Sequence, residues 1–139
     1  MTAFLPIIMG LSSNVGTVSA TITVHGLTTG AIKLDQSLSL LLKELGTGAL
    51  LGACYGGISG LAGWFMFNDI NGGLLVSQIV GLTLWCNITL ASLIGPGLPL
   101  LFQKWRNDPT VVTGPYLSSL LDVLAIINYF LIAELFLPV

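Results

Sequence analysis

The stretch "GPYLSSLLDVLAIINYFLIAELF", Gly114 to Phe136, decides the fold. It is long and apolar enough to cross a bilayer, which takes about 20 mostly apolar residues in a helix. Yet it carries a carboxylate, Asp122, with no Lys or Arg in the same stretch. An Asp at the centre of a membrane helix costs roughly 2.5–3.5 kcal/mol on insertion scales, so such a residue faces a cavity or a partner. The remainder of the chain shows which solvent this helix meets.

Charged residues are 7% of the 139 and the mean hydropathy is +0.94. Soluble domains carry about 25% charge, and that charged skin keeps them dispersed. The composition is that of an all-α integral membrane protein embedded in a lipid bilayer. The net charge of −2 and the lack of a basic patch exclude nucleic acid as a partner. Cys54 and Cys86 lie in apolar runs without CxxC spacing, which favours two small buried hydrophobes over a disulfide or metal pair. The first residues, "MTAFLPIIMG", lack the basic start and small-residue cleavage site of a secretory signal.

Four segments reach membrane-crossing length, at about Ala3–Val24, Leu45–Phe67, Leu74–Phe102 and Val111–Leu137. Before the second, "AIKLDQSLSLLLKEL" places Ile32, Leu34, Leu38, Leu41, Leu42 and Leu45 mostly at three- and four-residue steps, with charges between them. That pattern predicts a short amphipathic helix lying at the interface. Lys33 and Lys43 fall in the first connection, Lys104 and Arg106 in the third, and none in "NDINGG" between them. The first and third connections share a side, so the basic residues mark one face as cytoplasmic. Both termini then face outward, as in a cell (inner) membrane protein. A chain that starts outside and enters a span at once points to a further helix before Met1, or to another chain that supplies it.

Gly48, Gly52, Gly56 and Gly60 recur at every fourth position of the second span, three overlapping GxxxG steps on one face. Small residues in register let a second helix approach closely. The third span ends in "LIGPGLPLLF", where Pro96 and Pro99 remove backbone donors and predict a break, either a kink at the exit or a wet vestibule. The first span is the most polar, with Ser12, Ser13, Asn14, Thr17, Ser19, Thr21 and Thr23. Its hydroxyls can bond back to their own helix. Pro6, Gly10 and Gly16 predict bending or local unwinding, and one face turned to a polar interior.

Two readings of Asp122 follow. In one it is a structural acid, protonated or hydrogen-bonded to Asn14, Asn87, Asn128 or a Ser. In the other it is a cation site in a water-filled path. His25 stands alone at a membrane boundary and there is no His/Cys cluster, so soft-metal ligation is excluded. A hard cation with oxygen ligands fits. Mg2+ keeps several waters and can be held by one or two carboxylates through them. A symmetric dimer would supply the second carboxylate at its axis.

The residues resemble those of a known family at this point. "LPIIMGLSSNVGTVSATITVHGL" is similar to the second transmembrane helix of the MgtE family of magnesium channels and transporters. That helix reads proline, a Gly-Asn-x-Gly-x-Gln core, Thr/Ser and then Arg-Gly-Leu. "NDPTVVTGPYLSSLLDVLAIINYFLIA" resembles the family's last helix, with its Asp-Pro, Gly-Pro and Thr-Thr-x-x-Asp elements. The resemblance covers nearly the whole chain. It implies a homodimer with a pore near the interface and hydrated Mg2+ as cargo, with Mn2+, Co2+ or Ca2+ as alternatives. Asp122 matches the pore aspartate, Ser118 a position whose carbonyl touches the ion's waters, and Asn14 the pore asparagine. Asp108 matches an acid at the cytoplasmic mouth, and Ser13, Gly16, Thr17 and Ser119 would line the path. The family's first helix and its cytoplasmic regulatory domains have no counterpart here, so another chain or segment would supply them. The core reads Ser13-Asn14-Val15-Gly16-Thr17-Val18, with Val18 for the family's Gln, and the ending reads His25-Gly26-Leu27.

Three functions remain at this level. One is a dimeric divalent-cation transporter or channel. The second is a cation/proton exchanger with Asp122 as proton carrier. The third is a non-conducting structural subunit of a larger membrane complex. No nucleophile–base pair marks an enzyme.

Overall fold

A computed structural model describes residues 2–67 and 72–136. Four long helices order the chain: α1 (Leu5–Thr28), α2 (Ser37–Phe67), α3 (Gly73–Lys104) and α4 (Pro115–Phe136). Short 3-10 turns, Leu34–Gln36 and Pro109–Val112, precede α2 and α4. All four helices are long and apolar enough to cross a membrane. The middle connection "NDINGG" falls largely on 68–71, outside the described residues, as does Leu137 at the expected end of the fourth span.

The helix ends follow local chemistry. Pro6 sits in the first turn of α1, where its missing amide hydrogen has no intrahelical partner to lose. Gly72 caps α3 at φ 96°, and Gly114 turns the chain into α4 at φ 70°, conformations that glycine adopts without a Cβ penalty.

Helix α3 is central and packs against each of the other three. One apolar cluster joins Ile8, Ile79, Leu84, Ile88, Ala125, Tyr129 and Ile132, and a second joins Ala20, Ala91, Leu117 and Leu121. The large apolar residues left exposed, such as Leu50, Ile58, Phe65 and Met66 on α2, belong against hydrocarbon.

α2 lies on α3 through bare backbone. A Cβ built at Gly52 would stand 2.9 Å from the Trp85 carbonyl oxygen, and one at Gly56 2.5 Å from that of Gly81. One at Gly48 would collide with the Ser92 side chain, and one at Gly60 meets Ser77 at ordinary contact distance. α3 answers with a glycine of its own, since a Cβ at Gly81 would come within 2.9 Å of the Gly56 carbonyl. The stripe runs on to buried Gly63, one step beyond the GxxxG series. Trp85 Nε1 donates to the Ala49 carbonyl at 3.1 Å, and the Ser77 hydroxyl donates to the Gly60 carbonyl.

Four expectations are corrected. The amphipathic segment is helical but not separate: the turn Leu34–Gln36 leads straight into α2. At 1.5 Å per residue, the 31 residues of α2 span about 46 Å, more than the roughly 30 Å of bilayer hydrocarbon, so its first turns extend beyond the core. α3 does not break at its prolines; both are buried inside a continuous helix. α1 is not unwound at its glycines. Gly95 of α3 instead lies directly on the backbone of Gly16 in α1, where any Cβ would strike the Gly16 carbonyl, and this contact braces both helices. Finally, Cys54 is exposed on α2 and Cys86 half-buried, and both thiols are free.

Candidate functional site

Helices α1 and α4 meet through polar side chains. The Oγ atoms of Ser13 and Ser118 are 3.0 Å apart, a hydrogen bond in which either hydroxyl can donate. Ser13 is buried and Ser118 half-buried. Asp122 follows Ser118 by one helical turn, so the two share a face of α4. Asp122 is half-buried, and Ser119 beside it is exposed. At 1.5 Å per residue Asp122 lies about 10 Å from Pro115, in a helix about 33 Å long. The sequence reading put it near mid-depth because it began the span at Val111. Residues 109–112 form a 3-10 turn instead, which moves the acid toward the end of the bundle that carries the basic residues.

The groups that could have neutralised Asp122 are engaged elsewhere. Asn87, 3% exposed, donates to the Ala125 carbonyl at 3.4 Å, and Asn128 Nδ2 donates to Asn87 Oδ1 at 3.0 Å. Lys33, Lys43, Lys104 and Arg106 are all exposed; Lys104 ends α3, Lys33 and Arg106 lie outside the long helices, and Lys43 sits in the second turn of α2. Among the described residues, none of these bonds uses the Asp122 carboxylate.

On α1, Asn14 follows Ser13 and is exposed on the surface of the protomer. Thr17, Val18, Thr21 and Ile22 continue this outer strip around a shallow groove of about 220 Å3. Its hydroxyls bond to their own helix, Thr17 to the Ser13 carbonyl and Thr21 to the Thr17 carbonyl, each at 2.8 Å. Asn14 is thus the amide that this strip presents outward.

Two of the expected site residues have packing or capping contacts of their own. Gly16 does not line the polar strip; it is buried where α1 meets Leu121, Ala91 and Gly95, and serves helix packing. Asp108 is exposed and caps the 3-10 turn before α4, accepting from the Thr110 amide at 2.9 Å and the Thr110 hydroxyl at 2.6 Å. These bonds, the hydroxyl's first, hold its carboxyl below the usual Asp value, so it remains ionised at neutral pH. Its contacts tie it to this turn rather than to Asp122.

The structure adds a residue that sequence reasoning left on a solvated face. Ser19 of α1 donates to Glu44 Oε2 of α2 at 3.0 Å, and Glu44 is half-buried. The signal was present: the four-residue step of Gly48, Gly52 and Gly56 extends back to position 44, on the side of α2 that faces the bundle. Among the described residues, no three His, Cys, Asp or Glu side chains come together as a metal cage. A cation at Asp122 would therefore keep much of its own water, or draw on a second copy of the chain.

These features define a membrane-crossing helix bundle with a half-buried, uncompensated carboxylate beside a polar helix contact. Residues 5–132 match the sequence model of the family described as "Divalent cation transporter", MgtE. The chain is 31% identical over 136 residues to the magnesium transporter MgtE of Enterococcus faecalis, covering 98% of this chain and 29% of that protein. It is 32% identical over 134 residues to the magnesium transporter MgtE of Thermus thermophilus, covering 96% and 29%. The namesake from Bacillus subtilis is 25% identical over 133 residues, again covering 96% and 29%. The chain therefore belongs to the MgtE family of divalent cation transporters, a family of transporters rather than enzymes, and spans less than a third of the length of these relatives.

Proposed function

We propose that this chain forms a membrane pathway for Mg2+, with Asp122 as its charged element. The observation that carries this reading is a half-buried carboxylate, without a basic partner among the described residues, one turn from the Ser118–Ser13 contact. Such an acid is costly in hydrocarbon and cheap beside a passing cation. Mg2+ suits it because a strongly hydrated ion needs one or two carboxylates and a set of polar acceptors for its waters. The membrane potential then drives entry, gaining about 4.6 kcal/mol for two charges across 100 mV.

The second wall comes from a second copy. Asn14, Thr21 and Ser119 face outward from a single protomer, where they would otherwise meet lipid. A two-fold dimer through this face would set two Asp122 carboxylates about one axis and hide both strips. The basic residues mark the cytoplasmic side, with both termini outward across the cell membrane. Mn2+, Co2+ and Ca2+ share the oxygen chemistry and are the competitors to measure.

The test is ion flux into liposomes holding the purified chain. Wild type admits Mg2+, and Asp122→Asn does not, while helix content and oligomeric state stay constant. Undiminished flux in the Asn variant would remove Asp122 from the pathway. Flux that requires a pH gradient would make it a proton carrier instead.

A further inference from the structure

The cytoplasmic end of the bundle holds a cavity that the cation pathway does not use. It lies between the start of α2 and the end of α3, is lined by no residue of α1 or α4, and has a volume of about 430 Å3. Its walls are mainly apolar, formed by Leu34, Leu41, Leu100, Leu101 and the bare backbone of Gly97, with the Ser37 hydroxyl among them. A Cβ at Gly97 would only just reach Leu41, at 3.9 Å, so the glycine leaves the space open rather than filling it. Two opposite charges also line it: Asp35, from the turn before α2, and Lys104, the last residue of α3. Both are exposed, and no ion pair within 4.0 Å joins them.

We propose that this cavity binds the headgroup and upper acyl chain of an aminophospholipid, phosphatidylethanolamine being the simplest. Lys104 meets the phosphate, Asp35 meets the primary ammonium, and the leucine walls take the first methylenes of one chain. Three observations converge on this occupant. The cavity lies at the start of α2 and the end of α3, two helices long and apolar enough to cross a membrane, whose ends belong near lipid headgroups. Its lining combines charged, exposed side chains with apolar ones, as a phospholipid combines a charged headgroup with acyl chains. Its charges are one of each sign, which matches a headgroup that itself carries one phosphate and one ammonium. An anionic headgroup would satisfy Lys104 and be repelled by Asp35. A choline headgroup would offer Asp35 no N–H donor. A volume near the lower end of the 300–1,000 Å3 usual for small-molecule sites holds a headgroup and part of one chain, not a whole lipid. Leu38 and Leu42, 70% and 60% exposed beside it, keep the start of α2 against the bilayer.

The experiment is a lipid competition. The full chain is placed in nanodiscs of equimolar phosphatidylethanolamine, phosphatidylglycerol and phosphatidylcholine, released, and analysed by native mass spectrometry for retained lipid. The ethanolamine lipid should be retained about fivefold over the other two, the ratio that matches roughly 1 kcal/mol per charge contact at a membrane surface. Asp35→Asn should bring ethanolamine down to the choline level. Lys104→Gln should lower all three. Leu41→Trp, which fills the apolar floor, should lower all three without changing their order. Equal retention of the three lipids by wild type, or an ethanolamine preference that survives Asp35→Asn, overturns the proposal; the second result would mean that Asp35 does not read the ammonium. If a variant loses helix content, the wild-type competition alone still decides.

Discussion

Helix α3 has two very different neighbours. Toward α2 it presents Gly81, Ser77, Trp85 and Ser92 to a run of glycines, and at Gly52 and Gly56 the two backbones come close. Behind it, α1 and α4 meet through Ser13 and Ser118, flanked by Asn14 and Asp122. Both interfaces lie in the same apolar medium, where lipid tails compete equally well for any apolar surface. Association there depends on close packing and on hydrogen bonds. The first interface uses close backbone packing, aided by the Ser77 and Trp85 hydrogen bonds, and the groove of about 640 Å3 along it is lined mainly by glycine and apolar side chains. The second uses polar groups, which hold helices together but also leave acceptors that a hydrated ion can use. The glycine seam serves as scaffold, and the polar seam can serve as a pathway.

The largest effect belongs to the scaffold. Gly56→Leu would drive a side chain into the Gly81 carbonyl, and neither backbone can give way without parting the helices. The expected loss is about 3 kcal/mol, the upper range for overpacking, or more because the obstacle is main chain. Denaturant titration in detergent, followed by helix content and size, measures it. A near-neutral result would mean that the two helices can part freely, and the contrast between the seams would collapse. The next effect belongs to the polar seam and concerns flux, not folding. At roughly 4 Å a carboxylate attracts a dication by about 2 kcal/mol even in the dielectric of water. Asp122→Asn should therefore lower Mg2+ flux about thirtyfold or more, with stability unchanged.

These two variants also show how far the residues could be read without coordinates. The glycine stripe was legible because its four-residue period is a local property of one helix, and that helix keeps its period in any environment. Its partner was not legible. That Gly81 and Ser77 meet it depends on helix directions and crossing angles, which no spacing encodes. Asp122 stood out through charge in an apolar run, whereas Ser118 entered only through the family resemblance. Gly16 misled because glycine marks both pore linings and close crossings, and only the position of Gly95 separates them. The prolines misled because a local rule predicts a broken helix, whereas α3, packed against α1 and α2, continues as a helix through Pro96 and Pro99. Glu44 was overlooked because neighbouring charges made its segment read as a surface, while its register with the stripe turned it inward.

A smaller test sharpens the same contrast within α2. Gly57 adjoins Gly56, yet a Cβ there meets nothing within 4 Å. Gly57→Ala should stabilise by about 0.5–1 kcal/mol, since glycine loses more backbone freedom on forming a helix than alanine. Two adjacent glycines with opposite responses would locate the seam on one face and show that composition alone is not what matters.

The smallest effect is the most informative about the polar seam. Ser13→Ala, Ser118→Ala and the double variant close a cycle around the 3.0 Å contact. Interhelical hydrogen bonds in membranes couple by about 0.6 kcal/mol on average, because the separated helices also find partners. A coupling of that size means the two hydroxyls hold α1 against α4 and fix the wall on which Asp122 stands. Flux should then fall modestly in each single variant and no further in the double. A coupling near zero, with each hydroxyl contributing separately to flux, would mean that both serve the ion's waters rather than each other. The α1–α4 seam would then be part of the wet path itself, not its frame, and the division between scaffold and pathway would have to be drawn inside α4 rather than between the two faces of α3.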